Sequence, residues 1–275
     1  MLLDQPGLIE ALSHEMTPKF LATRSPDGVP NVVPCTSLMP SGDGEAQDRL
    51  IFGNFLLRKS VTNLDNDPRV GILVITTDLK GWVLQGNFVE WQRAGEYVDR
   101  LNNTDLLRYN AYTGIRNAGV IDLTSVTGAF RISKLRVLGD YLLARAARAA
   151  IRRESQVEGA TSMPRVVRDR FTPMTAVRVL ACLDEDGYPL VAPVLSLQPA
   201  GDRGLVCAQG TAAARLTQLS PGALVAANLL TLDVVSFQAK GRWLGTRQLL
   251  GSPVGGMSVE SVFAGGPPIP GRQVA

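Results

Sequence analysis

The stretch LATRSPDGVPNVVPCTSLMPSGD, at residues 21–43, occurs a second time in the chain in closely similar form. The second copy, LACLDEDGYPLVAPVLSLQPAGD at residues 180–202, aligns without a gap at an offset of 159, and 12 of the 23 positions are identical. Beyond residue 202 the offset becomes 155, which aligns Leu64 with Leu219. Because the matched unit of about 70 residues is far longer than a solenoid repeat, the sequence predicts duplication of a whole domain.

Each copy has the pattern of a β-meander. In the first copy, KFLATR and VPNVVPCTSLMP lie on either side of Asp27-Gly28, a dipeptide typical of hairpin turns. The later runs RVGILVIT (residues 69–76) and GWVLQGNFVEW (residues 81–91) are apolar enough for buried strands. We therefore expect a mainly β protein.

The residues between the two copies and the residues after the second copy give further expectations. The stretch at residues 91–103 looks helical, and VTGAFRISKLRVL (residues 126–138) predicts a strand that completes the first sheet. GDYLLARAARAAIRRES (residues 139–155) predicts a helix rich in Ala, Leu and Arg, with Leu142, Leu143 and Ala146 turned inward. After Gly245 the density of Pro and Gly predicts an extended, loosely held tail.

Composition narrows the classes of function. Of the 275 residues 45 % are hydrophobic and 19 % charged, which predicts a packed globular protein, and the net charge of +3 gives no reason to expect nucleic acid as a partner. His14 is the single histidine, which disfavours His-rich metal centres and Ser-His-Asp catalysis. The three cysteines are widely separated and form no disulfide pattern. Without a signal peptide or an apolar run of about 20 residues, we expect a cytoplasmic protein with no membrane partner.

The stretch NFLLRKSVTNLDNDPRVGIL, at residues 54–73, places two cations and a hydroxyl side by side, at Arg58, Lys59 and Ser60. Such a cluster is either a solvated turn or a fixed grip on a phosphate. Arg offers a bidentate contact, Lys a point charge, and Ser60 at a helix start a hydroxyl and a helix N-terminus. Because cations are unfavourable at a helix N-terminus without an anion, the pattern favours phosphate binding.

The order of these elements resembles the pyridoxamine 5′-phosphate oxidase-like family of FMN-binding split β-barrels. The sequence order is strand, Asp-Gly hairpin, two strands, RKSxxNLxxDPRV, a strand and then WVLQG. The resemblance is strongest over residues 19–91, with a weaker echo over residues 178–245. It implies two tandem split β-barrel domains, at residues 1–138 and 171–275, joined by a helical linker at residues 139–170.

The resemblance also implies a cofactor and its ligands. FMN is the implied cofactor, and F420 is the alternative because related split barrels use either. Its phosphate would be held by Arg58, Lys59 and Ser60. Side chains near the ring system or the ribityl chain would come from Thr36, Ser37, Asn54 and Gln85.

The second copy departs from this pattern at the phosphate grip. Ala213, Ala214 and Arg215 align with Arg58, Lys59 and Ser60, so we expect the second site to be lost or weakened. Members of the family are usually homodimers with each flavin between two barrels, and a duplicated chain can form the same arrangement internally. The wall opposite the flavin would then come from the second domain, with Lys240, Arg242 and Trp243 as candidates.

Two classes of function follow from the resemblance. The first is a flavin-dependent oxidoreductase with an unidentified small-molecule substrate and an electron donor such as NAD(P)H, either as a single chain or as a homodimer. The second is a non-catalytic flavin-binding or assembly module. Oxidation of pyridoxine phosphate is disfavoured, because the C-terminal stretch GGPPIPGRQVA carries only one cation, Arg272.

Overall fold

The computed structural model describes residues 4–42, 48–104, 114–266 and 269–275. Within these ranges the first domain shows three helices and one antiparallel sheet. Its helices are α1 (Leu8–Ser13), α2 (Arg58–Leu64) and α3 (Glu96–Asn102). Its strands are β1 (Lys19–Arg24), β2 (Pro30–Pro34), β3 (Met39–Pro40), β4 (Arg49–Gly53), β5 (Arg69–Ile75), β6 (Lys80–Gln92), β7 (Ala118–Val126) and β8 (Phe130–Arg131).

The second part of the chain begins with two helices and continues into another antiparallel sheet. The helices are α4 (Lys134–Glu154), α5 (Arg165–Phe171) and a 3₁₀ helix (Thr211–Gln218). The strands are β9 (Val177–Leu183), β10 (Pro189–Pro193), β11 (Gln198–Pro199), β12 (Gly204–Ala208), β13 (Leu224–Leu230), β14 (Ser236–Leu249) and β15 (Ser252–Ala264). None of the described helices combines the length and the hydropathy that crossing a bilayer takes.

The two sheets have the same strand order. The first runs β2-β1-β5-β6-β7-β4-β3, with β8 added on β6, and the second runs β10-β9-β13-β14-β15-β12-β11. Each strand of the second sheet therefore occupies the place of its equivalent in the first. The prediction of a mainly β protein with two tandem domains is confirmed.

Each domain also begins with a helix that a buried cation of its first strand ties down. The ammonium group of Lys19 donates to the carbonyl oxygens of Leu12, at 2.9 Å, and His14, at the end of α1. Arg178, at the equivalent position of β9, donates to the carbonyl oxygen of Pro173, just after α5. The resemblance between the domains thus extends to their leading helices, ahead of the stretch in which the sequences match.

The two domains pack against each other through equivalent strands. A buried apolar cluster joins them, made of Phe20, Ala22, Val32 and Leu73 from the first domain and Val179, Ala181, Val191 and Ala226 from the second. The amide nitrogen of Asn228 donates to the carbonyl oxygen of Val32 at 3.1 Å within this interface. Because equivalent faces meet, the chain forms the internal pseudo-dimer that the sequence predicted.

Two local expectations are wrong. The first sheet is completed by β7, whereas the stretch at residues 126–138 holds only the last residue of β7, the short β8 and the start of α4. The stretch after Gly245 is not a loose tail but the end of β14 followed by the 13-residue strand β15. Its glycines serve close packing, since a Cβ on Gly255 would lie 2.1 Å from the Trp243 ring.

The inward face of α4 also differs from the expectation. Ala144, Ala147 and Ile151 are buried against the second sheet, together with Val206 and Val254. Leu142 is instead 57 % exposed. Small side chains on the inner face let the helix approach the sheet closely. Leu143 is half-buried and packs against this cluster, as expected, whereas Leu142 and Ala146 are exposed.

Candidate functional site

The three residues of the predicted phosphate grip lie together in the first turn of α2. A tight turn after β4 brings them there, and Leu56 adopts a φ of 62° within it, a value uncommon for a residue with a side chain. Arg58, Lys59 and Ser60 line a small pocket of about 20 Å³. The opposite wall of the pocket comes from the second domain.

Lysines from both domains approach the ring of Phe263, which lines this pocket. The ammonium nitrogen of Lys59 lies 2.9 Å from the centroid of the Phe263 ring, and that of Lys240 lies 5.7 Å from it. Both contacts have cation–π geometry. Lys240 comes from β14 of the second domain, so the pair bridges the interface.

Burial weakens the charge of both lysines. It lowers the pKa of Lys59 to about 8. Burial, together with repulsion from Lys59, lowers the pKa of Lys240 to about 7. Within the part of the chain that the structure describes, neither lysine nor Arg58 forms an ion pair with a carboxylate. An anion placed between these cations would restore their charged forms.

Two buried polar side chains complete the pocket wall. The amide nitrogen of Asn31 donates to the Ser60 hydroxyl at 3.2 Å, and both residues are 1 % exposed. The amide oxygen of Asn31 has no hydrogen-bond partner. A buried polar atom without a partner is costly, and this one belongs to a residue that lines the pocket. Reversing the Asn31 amide would turn its NH₂ group toward such a group.

An apolar cleft of about 370 Å³ adjoins the cationic pocket, and the two share Val33, Leu56, Leu57 and Gly265 as lining residues. The first domain contributes Thr36 and Ser37 to the cleft, and the second contributes Val177 and Leu230. The cleft therefore lies at the junction of the domains. Its volume is within the range of about 300–1,000 Å³ typical of small-molecule sites.

The Ser37 hydroxyl is engaged in the fold. It accepts a hydrogen bond of 3.0 Å from the backbone N–H of Gly53, at the end of β4. In the second domain the Ser196 hydroxyl accepts an equivalent bond of 3.0 Å from the N–H of Ala208. Because both domains form this hydrogen bond, its role is structural. It holds the Ser37 side chain in a fixed position in the wall of the cleft.

Cys35 also lines the cleft but is not a reactive thiol. Burial raises the pKa of Cys35 to about 11, outweighing the hydrogen bond from Ser37 and the nearby charge of Lys19. A thiol with so high a pKa remains protonated at neutral pH and is a poor nucleophile.

Two predicted ligands, Asn54 and Gln85, do not line the pocket or the cleft. The N–H of Asn54 donates to the carbonyl oxygen of Asn117 at 2.9 Å. The amide nitrogen of Gln85 donates to a carboxylate oxygen of Asp184 at 2.7 Å, across the interface. A ligand role for either residue stays a prediction that these contacts do not support.

The candidates named on the second domain differ in position. Trp243 is 1 % exposed in the core of its own domain, and Arg242 pairs with Glu260 at 2.9 Å. Lys240 alone of the three lies beside Lys59. The repeat contained a signal for Lys240, because Lys240 aligns with Gln85, a predicted ligand in the first copy. In a pseudo-symmetric pair, each site is completed by a residue from the other copy. No such signal identifies Phe263 or Asn31.

The second domain has an equivalent cleft of about 290 Å³. Residues 193–196 line it, as residues 34–37 line the first cleft. The opposite side is formed by the beginning of α4, where Arg136 pairs with Asp140 at 3.0 Å. Burial raises the pKa of Asp140, although Arg136 opposes this shift. Ala213, the counterpart of Arg58 in the repeat, lines this second cleft, so the second domain has no arginine at the position where the first domain carries one beside its pocket.

No protein-family model matches the sequence, and a search of curated proteins returns no match. A search of solved structures finds an FMN-binding protein from Syntrophomonas wolfei subsp. wolfei, with 20 % identity and a TM-score of 0.38, over 48 % of this chain and 88 % of that one. It also finds HupZ from Group A Streptococcus, with 17 % identity and a TM-score of 0.36, over 46 % and 95 % of the two chains. A protein described as an F420 reductase has 23 % identity and a TM-score of 0.34, over 43 % and 94 %.

These solved structures are similar to part of the chain, and each match covers slightly less than half of it. At these identities the likeness concerns the fold alone.

Proposed function

We propose that the chain binds FMN between its two domains and acts as an oxidoreductase on a small-molecule substrate. One observation carries the proposal. Lys59 and Lys240, from different domains, meet at one aromatic ring beside an apolar cleft, and among the described residues neither has a carboxylate partner. Such an arrangement suits a ligand with an anionic end and a flat apolar body.

The described residues fit the two ends of FMN. Arg58, Lys59, Ser60 and Lys240 would hold the phosphate, with the Asn31 amide as a further donor. The ring system would occupy the apolar cleft beside Thr36. The pocket of about 20 Å³ has room for about one water, so phosphate entry requires Lys59 to move off the Phe263 ring.

The chemistry of the reaction would belong to the cofactor. Bound FMN supplies hydride and electron transfer, and the protein supplies binding, orientation and exclusion of water. The apolar walls from Leu56, Leu57 and Leu230 would exclude water from one side of the ring. Among the lining residues of the cleft that the structure describes, Glu15 is the one carboxylate, and no cation is present.

F420 is the alternative cofactor because it presents a phosphate to the same cations. Both an FMN-binding protein and an F420 reductase occur among the similar structures. Absorbance spectra and direct titration with each cofactor distinguish them.

A non-catalytic flavin-binding or assembly module is the second candidate function. The second cleft favours it, since α4 forms one wall there and Ala213 occupies the position equivalent to Arg58. This chain therefore keeps one domain without the phosphate grip. Bleaching of bound flavin by NAD(P)H under anaerobic conditions supports an enzyme, and flavin that no donor reduces supports the module.

The double variant Arg58→Ala/Lys59→Ala tests the proposed site. We expect purified wild-type protein to retain or take up FMN, and the variant to lose at least about tenfold in affinity because two phosphate contacts are removed. Arg93→Ala is the matched control, as Arg93 is an exposed cation of the first domain outside the pocket. Full FMN affinity in a folded double variant would refute the assignment.

A further inference from the structure

The positive charge of the chain is concentrated on one helix. Between Lys134 and Glu154, α4 contains six basic and two acidic residues, a net charge of +4, whereas the whole chain has +3. The remainder of the chain is therefore slightly negative. Charge asymmetry of this kind indicates an anionic partner at the charged surface.

The outer face of α4 carries large apolar side chains next to the cations. Leu135, Leu138 and Leu142 are 82 %, 46 % and 57 % exposed, and spacings of three and four residues place them on one side of the helix. The same spacing continues to Arg145 and Arg152, which are also exposed. The face is thus apolar in its first half and basic in its second.

The acidic residues of α4 do not offset these cations. Asp140 pairs with Arg136, and Glu154 pairs with Arg247 of β14. Arg145, Arg148, Arg152 and Arg153 form no ion pair within the described residues. The three exposed leucines form an apolar patch that water solvates poorly, and unpaired arginines lie beside it.

We propose that this outer face of α4, comprising Leu135, Leu138, Leu142, Arg145 and Arg152, docks on an anionic lipid bilayer. The leucines would enter the boundary between headgroups and acyl chains, and the arginines would contact anionic headgroups. A helix that lies on a membrane needs no spanning segment, and at this face the proposal departs from the expectation of no membrane partner.

Other occupants fit the face less well. Nucleic acid would use the arginines, but it leaves the three leucines without a partner and finds no aromatic side chain for stacking on this face. A second copy of α4 would cover the leucines, but it would bring two helices of net charge +4 together. An anionic bilayer satisfies the leucines and the arginines at once.

Vesicle flotation tests the proposal with the full chain. We expect the protein to float with vesicles containing phosphatidylglycerol, not with vesicles of pure phosphatidylcholine, and to dissociate as salt increases. Leu138→Ser/Leu142→Ser and Arg145→Gln/Arg152→Gln should each reduce the bound fraction at least about tenfold. Ile9→Ser and Arg93→Gln, exposed positions of the first domain, are matched controls that should bind like the wild type.

Each remaining outcome overturns the proposal. The first is that the wild-type protein does not float with the vesicles, and the second is that the α4 variants float as well as the wild type. The third is that a DNA or RNA oligonucleotide binds at a lower concentration than the vesicles do and displaces them. Leucine variants that convert a dimer to a monomer, in a protein that ignores vesicles, would assign the face to a second copy. Unchanged melting temperatures show that the exposed substitutions leave the fold intact. FMN binding is measured separately, so this result and that of the proposed cofactor site are independent.

Discussion

At the scale of single residues, the site depends on the environment of two lysines. Lys59 and Lys240 keep their ammonium groups near one aromatic ring and near each other, and no carboxylate of the described residues pairs with either. The pKa of each lysine is lowered by burial. A pair of cations held in this way gains most from a bound anion, because the anion relieves both the desolvation and the mutual repulsion.

The affinity for FMN should therefore fall as pH rises. In the flavin-free protein the pKa of Lys240 is about 7 and that of Lys59 about 8, so above pH 8 both are mostly neutral and binding must take up protons. We expect a loss of up to about tenfold per pH unit for each proton taken up. Lys240→Gln should bind FMN more weakly at pH 7 and show a flatter profile. Titration calorimetry in buffers of different ionisation enthalpy measures both effects.

The folding stability of the flavin-free protein should change with pH in the opposite direction to its affinity for FMN. A lowered lysine pKa means that the unfolded chain binds more protons than the folded chain between about pH 7 and the ordinary lysine value of 10.5. The flavin-free protein should therefore gain stability as pH rises through this window. A pH profile of FMN affinity that rises over the same window would contradict the assignment of these lysines.

Sequence reasoning identified only part of the site at this scale. Arg58, Lys59 and Ser60 are adjacent in the chain, so a local motif revealed them. Lys240 was a candidate only through the pseudo-dimer that the resemblance implies, and Phe263 was not a candidate. They lie about 180 and 200 residues further along and meet Lys59 only because the domains pack face to face, which no local pattern encodes.

At the scale of elements, the repeat predicted the sheet better than the composition did. The Asp-Gly hairpins and apolar runs gave the strands β1, β2, β5 and β6 and their counterparts. The Gly-rich stretch that forms β15 was misjudged because glycine signals a loop in one context and close packing in another. The inward face of α4 was only partly predicted, because Ala144, Ala147 and Ile151 meet the sheet with Leu143 at their edge, and Leu142 is exposed.

Gly255→Ala tests the role of glycine in β15. Its Cβ would lie 2.1 Å from the Trp243 ring, so the core must shift, at a cost of about 1–3 kcal/mol. For a chain of this length we expect the melting temperature to fall by several degrees. Gly128→Ala is the control, since no atom lies within 4 Å of its Cβ position. Equal melting temperatures for the two variants would show that the glycine serves flexibility instead.

At the scale of the whole molecule, the site exists because two similar domains face each other. The first domain supplies the cations of α2, and the second supplies Lys240, Phe263 and one wall of the cleft. The pseudo-dimer was predictable from the repeat together with the family resemblance. The chemical difference between the two domains at the phosphate grip was predictable from Ala213 and Ala214. The contribution of α4 to the wall of the second cleft was not.

Gly71→Ala should loosen the interface and weaken cofactor binding together. A Cβ at this position of β5 would lie 1.9 Å from the carbonyl oxygen of Pro189 in the other domain. We expect a loss of about 1–3 kcal/mol in stability and a lower affinity for FMN, since the cleft spans the displaced domains. Ala226→Gly, at the equivalent position of β13, should cost about 1 kcal/mol without a clash and leave FMN affinity unchanged. Unfolding in denaturant and FMN titration give the two quantities.

The most direct test of the central claim compares FMN with riboflavin, which lacks the phosphate, by titration calorimetry on the same protein. If cations from both domains hold the phosphate, FMN binds at least about tenfold more tightly than riboflavin, at one site per chain, and Lys240→Gln narrows that ratio. Equal affinity for the two ligands, or two equivalent FMN sites per chain, would contradict it.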